Sequence, residues 1–439
     1  MNISVSRRFV TFALVGIAVL FVVGLLGIPT LTNATFWGYN IILFAALAID
    51  FFISPPTFSL KVKRIDADTK LSHNAVNKIT FLIYNSSHSP LAVEATDTIA
   101  SRHFEVLETD LSHIIPPGEE KSFSYSVIPS KRGAFTFTHI HLRVVGILGL
   151  AMKFHSLKYP AEFKVYPNLQ DLQRYRIMAQ NNRLLATGDK TLPQFGQGTE
   201  FESLRAYIEG DDYRKINWSV TARERRLIVN DYQVEKNQPV FMLIDSGRPM
   251  SYSVGGYKKL DYAINTALVL SDIVNQKGDM SGLLVFDTKI QNVIMPNKGS
   301  VHRNTLMESL YHIEESRNTS NYAEAFRTIR KRQKRRSLVF VFTDFETLEE
   351  GLELTREITL LKRWHFPIII TIKNERLTAL TLDEDSHVAE VANSFLDERV
   401  QLFRALNSMK IPVVEMPADK ITVSAINQYL TMRKANYFF

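Results

Sequence analysis

Two apolar runs dominate the first 53 residues of this chain. Phe9–Gly27 carries no charge and has about the length that a bilayer demands. Ala34–Ile53 follows, interrupted by Asn40 and Asp50. Between them GIPTLTNAT holds Pro29 and no charge, so the pair is expected to form a tight transmembrane hairpin over residues 1–56, with spans at about 9–27 and 34–53. Trp37, Tyr39 and Phe52 lie near run ends, where interfacial aromatics are favoured. Arg7 and Arg8 precede the first run, Lys61, Lys63 and Arg64 follow the second, and the loop has no base. The positive-inside rule then places both flanks, and the soluble bulk, on the cytoplasmic side of the membrane. A cleaved signal peptide ending near Asn33–Ala34 would leave the second run unexplained. Asp50 is expected at the interface near the end of its span, rather than as a functional intramembrane acid.

The remaining chain has room for more than one domain, since 439 residues suggest about three. It contains no cysteine, which excludes disulfides, thiolate metal sites and cysteine nucleophiles. Residues 57–167 read as strands. In KSFSYSV, Phe123, Tyr125 and Val127 alternate with serines, and Ile79, Phe81 and Ile83 do the same in NKITFLIYN. In GAFTFTHIHLRVV the apolar phase shifts after Phe135 and Phe137 to Ile140, Leu142 and Val144, which predicts a bulge near Thr138–His139. Short strands between turn signals suggest an all-β sandwich. His139 and His141 share a strand face at metal-ligand spacing, but no third ligand is near, and both are expected to face solvent.

From 237 to 439 the pattern is α/β. PVFMLID, SGLLVFD, RSLVFVFTD and FPIIITIK are near-continuous apolar runs, as in strands buried on both faces of a parallel sheet. Leu260, Ala263, Ala267 and Leu270 recur at helical spacing, as do Leu306, Leu310 and Ile313, then Ile358, Leu361 and Trp364. Further helices are expected over Val388–Asn407 and Ala425–Arg433. Strands alternating with helices imply a doubly wound sheet, whose ligands bind at the carboxyl ends of strands. Asp245 and Asp344 stand at two such ends.

Between these regions, residues 168–236 contain GTEFESLRAYIEGDDYRKINWSVTAR, from Gly198 to Arg223. It mixes both charge signs with Leu204, Tyr207, Ile216 and Trp218, so it is expected to be ordered, though largely irregular, with its aromatics anchored and its charges paired. Gly210, Asp211, Asp212 and Arg214 form a GDD-x-R motif. Adjacent carboxylates can raise one another's pKa and serve as a catalytic pair. With Arg205, Arg214 and Arg223 at hand, a salt-bridge and capping network that fastens the segment to the following domain is the plainer expectation. A partner-binding epitope is the third option.

This segment resembles the signature of the "domain of unknown function 58" proteins: bacterial, mostly membrane-anchored proteins with a von Willebrand factor A-like (VWA-like) domain. The resemblance implies an immunoglobulin-like module over 57–167 and a VWA-like domain over 237–439. It also implies work beside MoxR-type AAA+ ATPases in assembly or maturation of other proteins, with Arg205, Tyr207, Gly210, Asp211, Asp212, Arg214, Trp218, Arg223 and Arg248 as signature or partner-binding positions. VWA domains often hold Mg²⁺ on an Asp-x-Ser-x-Ser loop, a distant Thr and a second Asp. Here Asp245, Ser320 and Asp344 match, whereas the hydroxyl positions are Gly247 and Pro249. Ser246 and Ser251 are the nearest substitutes, and Arg248 brings a positive charge. The site is therefore expected to be degenerate, binding protein without metal.

No serine–histidine–acid set, phosphate loop or zinc spacing appears. The run from Arg330 to Arg336 holds six bases and one glutamine. It suits a helix C-terminus, or anionic lipid at a membrane surface, and its lack of interleaved aromatics argues against nucleic acid. The expected function is a non-enzymatic membrane adaptor. The alternatives are a metal-dependent phosphohydrolase using Asp245 and Asp344, and an envelope-facing binding protein.

Overall fold

The computed structural model describes residues 2–25, 29–54, 59–65, 70–99, 102–168, 200–209, 211–233, 237–382 and 386–434. The chain divides into two compact units, Met1–Tyr166 and Pro167–Phe439.

In the first unit a short strand, β1 (Asn2–Val5), precedes the helices α1 (Arg7–Gly24) and α2 (Pro29–Ile53). Both helices are long and apolar enough to cross a membrane. The second helix starts earlier than the apolar run does. Pro29 stands at its first position, where a fixed φ and a missing N–H cost nothing, so Leu31–Ala34 of the expected loop are helical. Gly16 lets Tyr39 lie against the first helix, and the Tyr39 hydroxyl donates to the Phe12 carbonyl at 2.6 Å.

Nine strands follow: β2 (Leu60–Arg64), β3 (Lys70–Ser72), β4 (Asn77–Asn85), β5 (Leu91–Asp97), β6 (Phe104–Asp110), β7 (Ser112–Ile115), β8 (Glu120–Pro129), β9 (Gly133–Val145) and β10 (Ala151–Tyr166). One sheet runs β1-β10-β9-β5-β7, with β3 also on β10; the other runs β2-β4-β8-β6. The period-two residues Ile79, Phe81, Ile83, Phe123, Tyr125 and Val127 are buried in one apolar core with Phe137, Ile140, Leu142 and Val144 of the facing sheet. The phase change on β9 falls where expected. The extra residue, however, is on the partner strand: Lys158 pairs with His139 and Ala161 with Phe137. His139 and His141 lie opposite the core face, with the His141 ring 2.8 Å from Thr98 Oγ1.

Two of the expected roles change here. Arg64 is no membrane-flanking charge: it forms a bidentate pair with Asp97 at 2.6 and 2.7 Å, 1% exposed, and joins the two sheets. Tyr125 donates to the same carboxylate at 2.7 Å. Asp50, in turn, is buried against protein. It accepts the backbone N–H groups of Leu148 (2.7 Å), Leu150 (2.8 Å) and Ala151 (2.8 Å) from the β9–β10 turn. Gly146 leaves it room, since a Cβ there would collide with the carboxylate. Ser6 caps α1 by accepting the Phe9 N–H at 3.2 Å and donates its hydroxyl to the Gly149 carbonyl. Because β1 pairs with β10 residue by residue from Asn2–Phe154 to Val5–Ala151, the chain before α1 and after α2 lies on one side of the helix pair.

The second unit opens with β11 (Glu200–Ala206), a 3₁₀ turn (Tyr213–Lys215), α3 (Trp218–Glu224) and β12 (Ile228–Gln233), the two strands pairing antiparallel. Then come β13 (Pro239–Asp245), the hairpin β14 (Ser253–Val254) and β15 (Tyr257–Lys258), α4 (Lys259–Gln276), β16 (Met280–Phe286), β17 (Ile290–Asn297), α5 (Ser300–Tyr311), α6 (Tyr322–Arg332), β18 (Leu338–Phe342), α7 (Leu348–Lys362), β19 (Phe366–Ile372), α8 (Glu375–Leu380), α9 (Ser386–Ser408), β20 (Val413–Met416) and α10 (Ile421–Lys434). The sheet order is β17-β16-β13-β18-β19-β20. All pairings are parallel except that of the edge strand β17. Residues of α6, α7 and α9 pack on Phe241, Leu243, Val339, Val341 and Ile369, while α4 and α10 pack on each other and on the strands. Trp364, expected in line with Ile358 and Leu361, lies beyond the end of α7 and is 57% exposed.

Candidate functional site

Strand order reverses between β13 and β18, so their carboxyl ends open side by side. Asp245 closes β13 there, and Thr343 and Asp344 leave β18 next to it. The site is built from these residues together with the loop that carries Ser320.

Asp245 is fully buried. Its carboxylate accepts Ser320 Oγ at 2.5 Å, Thr343 Oγ1 at 2.6 Å and the Gly247 N–H at 2.8 Å, with the Tyr322 hydroxyl at 3.4 Å. Burial pushes the carboxyl up to about 6, and these donors pull it only partly back. A Cβ at Gly247 would collide with Ser320 Oγ, which explains why a residue without a side chain stands at this first-loop position.

Asp344 meets a different environment. Lys259 Nζ bonds one oxygen, and Arg399 bonds the other at 2.7 Å. All three residues are nearly inaccessible. Burial alone would raise the Asp344 carboxyl; Arg399 and Lys259 reverse this and hold it below its ordinary value. Arg399 continues to Glu415 at 2.8 Å and Thr371 at 3.0 Å, and its guanidinium lies 4.8 and 4.9 Å from the Phe345 and Phe403 ring centroids. The result is a chain of alternating charges, Lys259–Asp344–Arg399–Glu415, buried up to Arg399 and ending at the half-buried Glu415.

These donors do not fit a divalent cation. Such an ion takes hard oxygen ligands, several of them anionic. Both oxygens of Asp344 already hold protein cations, and those of Asp245 take hydroxyl and amide protons. Gly247 and Pro249 have no oxygen to offer. The two substitutes point elsewhere: Ser246 Oγ donates to the Phe286 carbonyl at 3.0 Å and Ser251 Oγ to the Arg248 carbonyl at 2.7 Å. Among the described residues no group of three or more His, Cys, Asp or Glu is placed to hold a metal.

Above the buried acids lies a rim. Arg248 reaches Glu346 at 3.0 Å and Glu350 at 2.7 Å and remains 41% exposed. Glu346 also hydrogen-bonds the exposed Tyr252 and raises its hydroxyl pKa. Leu348 and Leu352 are exposed beside them.

The signature segment is more regular than expected. Arg205 grips Asp211 through two bonds of 2.7 Å, and Asp211 also accepts the Ile208 N–H at 2.9 Å. The Arg205 hydrogen bond, foremost, holds the Asp211 carboxyl down to about 2. Asp212 caps the 3₁₀ turn through the Arg214 N–H at 3.0 Å. Asn217 caps α3 through the Val220 N–H at 3.2 Å and bonds Asn230 of β12 at 2.9 Å. Tyr207 pairs its N–H with the Leu227 carbonyl at 2.9 Å. Gly210 lies outside the described residues. The adjacent acids thus have separate structural tasks. Of the aromatics expected to be anchored, Tyr207 is half-buried, but Trp218 is 66% exposed, as is the neighbouring Tyr213 at 67%. Arg214 lies 5.7 Å from the Tyr213 ring centroid, and Arg223 stands exposed in the last turn of α3.

Lys259, Arg399, Thr343 and Tyr322 escaped the sequence reading. Arg399 left one trace: it recurs with Ala392, Leu402 and Leu406 on the buried stripe of α9. A base on an apolar stripe needs a buried partner.

A testable pH effect follows from Asp245. A carboxyl raised above its unfolded value stabilises most when protonated. Its contribution is complete below about 4 and is lost as pH rises through about 6. Two units correspond to about 3 kcal/mol. We expect the difference in unfolding free energy between Asp245→Asn and wild type to change by this amount between pH 4 and 7, in favour of the variant at the higher pH. Denaturant titrations across that range measure it; a flat difference contradicts it.

The signature and the site fall largely within residues 203–392, which match the family profile "Protein of unknown function DUF58". The chain is similar to "Uncharacterized protein Rv1480" of Mycobacterium tuberculosis, 22% identical over 152 residues, 34% of this chain and 48% of that protein. It is also similar to "Uncharacterized protein YeaD" of Bacillus subtilis, 23% identical over 124 residues, 28% of this chain and 31% of that protein. The match therefore spans less than half the length of these relatives. Among solved structures, the conserved hypothetical protein BatB from Bacteroides thetaiotaomicron is 13% identical, with a TM-score of 0.30 over 45% of this chain and 98% of that one. The SpRpn10 VWA domain is 16% identical, with a TM-score of 0.27 over 44% and 95%. Residues 203–392, less than half of the chain, thus carry its likeness to the DUF58 proteins.

Proposed function

We propose that this chain is a membrane-anchored adaptor that presents the strand-end rim of a VWA-like, doubly wound unit to a protein partner, without a metal and without catalysis. The observation that carries this reading is the buried pair of cations on Asp344. Where a metal-dependent domain leaves an ion open to a partner, here Lys259 and Arg399 neutralise the acid internally. The phosphohydrolase alternative lacks an accessible nucleophile, because Asp245 is fully buried beneath Ser320 and Gly247.

The N-terminal unit serves as an immunoglobulin-like spacer on a helical hairpin. Arg7, Arg8, Lys61 and Lys63 favour the cytoplasmic side of a bacterial inner membrane, even with Arg64 withdrawn from the count. The partner class favoured by the signature resemblance is a cytoplasmic MoxR-type AAA+ ATPase. The contact face comprises Arg248, Tyr252, Leu348 and Leu352, with Trp218 and Tyr213 of the signature segment as a second element.

Crosslinking in native membranes with and without ATP, followed by capture of the tagged chain, tests this. A cytoplasmic ATPase should be recovered with wild type in the presence of a chelator. Tyr252→Ala with Leu348→Asp, both exposed and so tolerated by the fold, should lower recovery by 10-fold or more, about the loss of a central interface anchor. Recovery that needs divalent ions, or that ignores these substitutions, contradicts the reading.

A further inference from the structure

The sheet of the α/β unit has a second end, where β13, β16, β18, β19 and β20 begin and where α4, α6, α7, α9 and α10 finish. Segments 277–279, 298–299, 330–337, 362–365 and 409–410 meet there and carry eleven Lys or Arg and a single carboxylate, Asp279. Asp279 is fully buried, bound by the Tyr429 hydroxyl at 2.7 Å and Arg433 at 3.0 Å, so it offsets nothing at the surface.

The segments are joined into one surface. Lys298 Nζ and Arg335 both reach Asn237, at 2.6 and 3.1 Å. Arg336 lies over the Phe366 ring, 4.0 Å from its centroid. The Phe366 N–H donates to the Ser337 carbonyl at 2.8 Å, and Lys362 reaches the Met409 carbonyl. Among these charges, Trp364 and Met409 are 57% and 38% exposed.

Helix ends do not account for so many bases. Each helix C-terminus carries about half a negative charge, so five of them offer roughly two to three units against eleven positive ones. The surplus projects into solvent together with an indole, and cation clusters with an interfacial Trp are the pattern that binds anionic bilayers. The same chain has two helices long and apolar enough to cross a membrane, and tethering raises the local concentration of such a surface into the millimolar range.

We propose that this basic end of the α/β unit docks on an anionic bilayer surface. The docking uses the lipid headgroups, with Trp364 entering the interfacial layer. It is independent of the strand-end rim, which lies at the opposite end of the strands, and of the partner assigned to that rim.

The absence of native cysteine gives a clean test. The full chain carrying Ser408→Cys, labelled with a polarity-sensitive dye, is reconstituted in vesicles of phosphatidylcholine alone or mixed with phosphatidylglycerol. Both contain lipids bearing a quencher in their acyl chains. The expected result is quenching in the anionic vesicles only, abolished near 1 M salt, where the screening length is about 3 Å. Neutralising three exposed bases (Lys331→Gln, Arg332→Gln, Lys334→Gln) should weaken the lipid-dependent signal by about 100-fold. If the variant folds poorly, the salt series on the wild-type charge set decides alone. Equal quenching in both vesicles, no quenching in either, or a response only to added free phosphate or to an oligonucleotide would overturn the proposal.

Discussion

Replacing Asp344 by alanine will destabilise the α/β unit by about 3–5 kcal/mol, because it strands Lys259 and Arg399 as buried, unpaired cations. For a unit of this size that lowers the melting midpoint by about 10 °C. The double substitution Lys259→Met/Asp344→Leu should recover much of the loss, since it removes a cation along with the acid and leaves Arg399 its bond to Glu415. Thermal unfolding in detergent, followed by circular dichroism, measures both. If Asp344 instead awaited a divalent ion as an open ligand, the single substitution would be mild without metal and the double one no better.

Asp50→Ala is expected to have the second large effect, and at the other end of the chain. It removes the acceptor of three backbone N–H groups in the β9–β10 turn. An unsatisfied buried donor costs about 1–3 kcal/mol, so three of them should cost the turn about 3–9 kcal/mol of local stability. Hydrogen exchange at Leu148, Leu150 and Ala151 should then rise by two orders of magnitude or more, while exchange in β4 and β8 changes little. Asp50→Asn keeps an acceptor oxygen and should fall between. β1 paired on β10 and Asp50 bonded to the turn thus fasten the helix pair to the β-strands of the same unit at two places.

These two residues show where sequence reading succeeds and where it stops. Local periodicity was legible wherever one side of an element meets the core. The alternation in KSFSYSV and the apolar run PVFMLID gave their strands, and even the phase change on β9 was readable from Phe137 and Ile140. The edge strands β17 and β20 were not seen, because they are half-exposed and lack a full apolar run. Asp50 looked like an interfacial acid, since nothing in an apolar helix announces a turn about a hundred residues away that will donate to it. Asp344 could be placed at a strand end from its pattern. Its partners Lys259 and Arg399 could not, because an ion pair spanning 85 or 55 residues has no local signature. Arg64 failed in the opposite way: its position after an apolar run suggested a membrane flank, and its burial against Asp97 depends on the facing sheet.

The central claim is that the strand-end site carries its own cations and needs no metal. Equilibrium dialysis of the full chain against Mn²⁺, with Asp245→Asn as the control, tests it most directly. We predict no stoichiometric ion on wild type up to millimolar concentration and no difference between the two proteins. One ion per chain, lost in Asp245→Asn, would contradict the account.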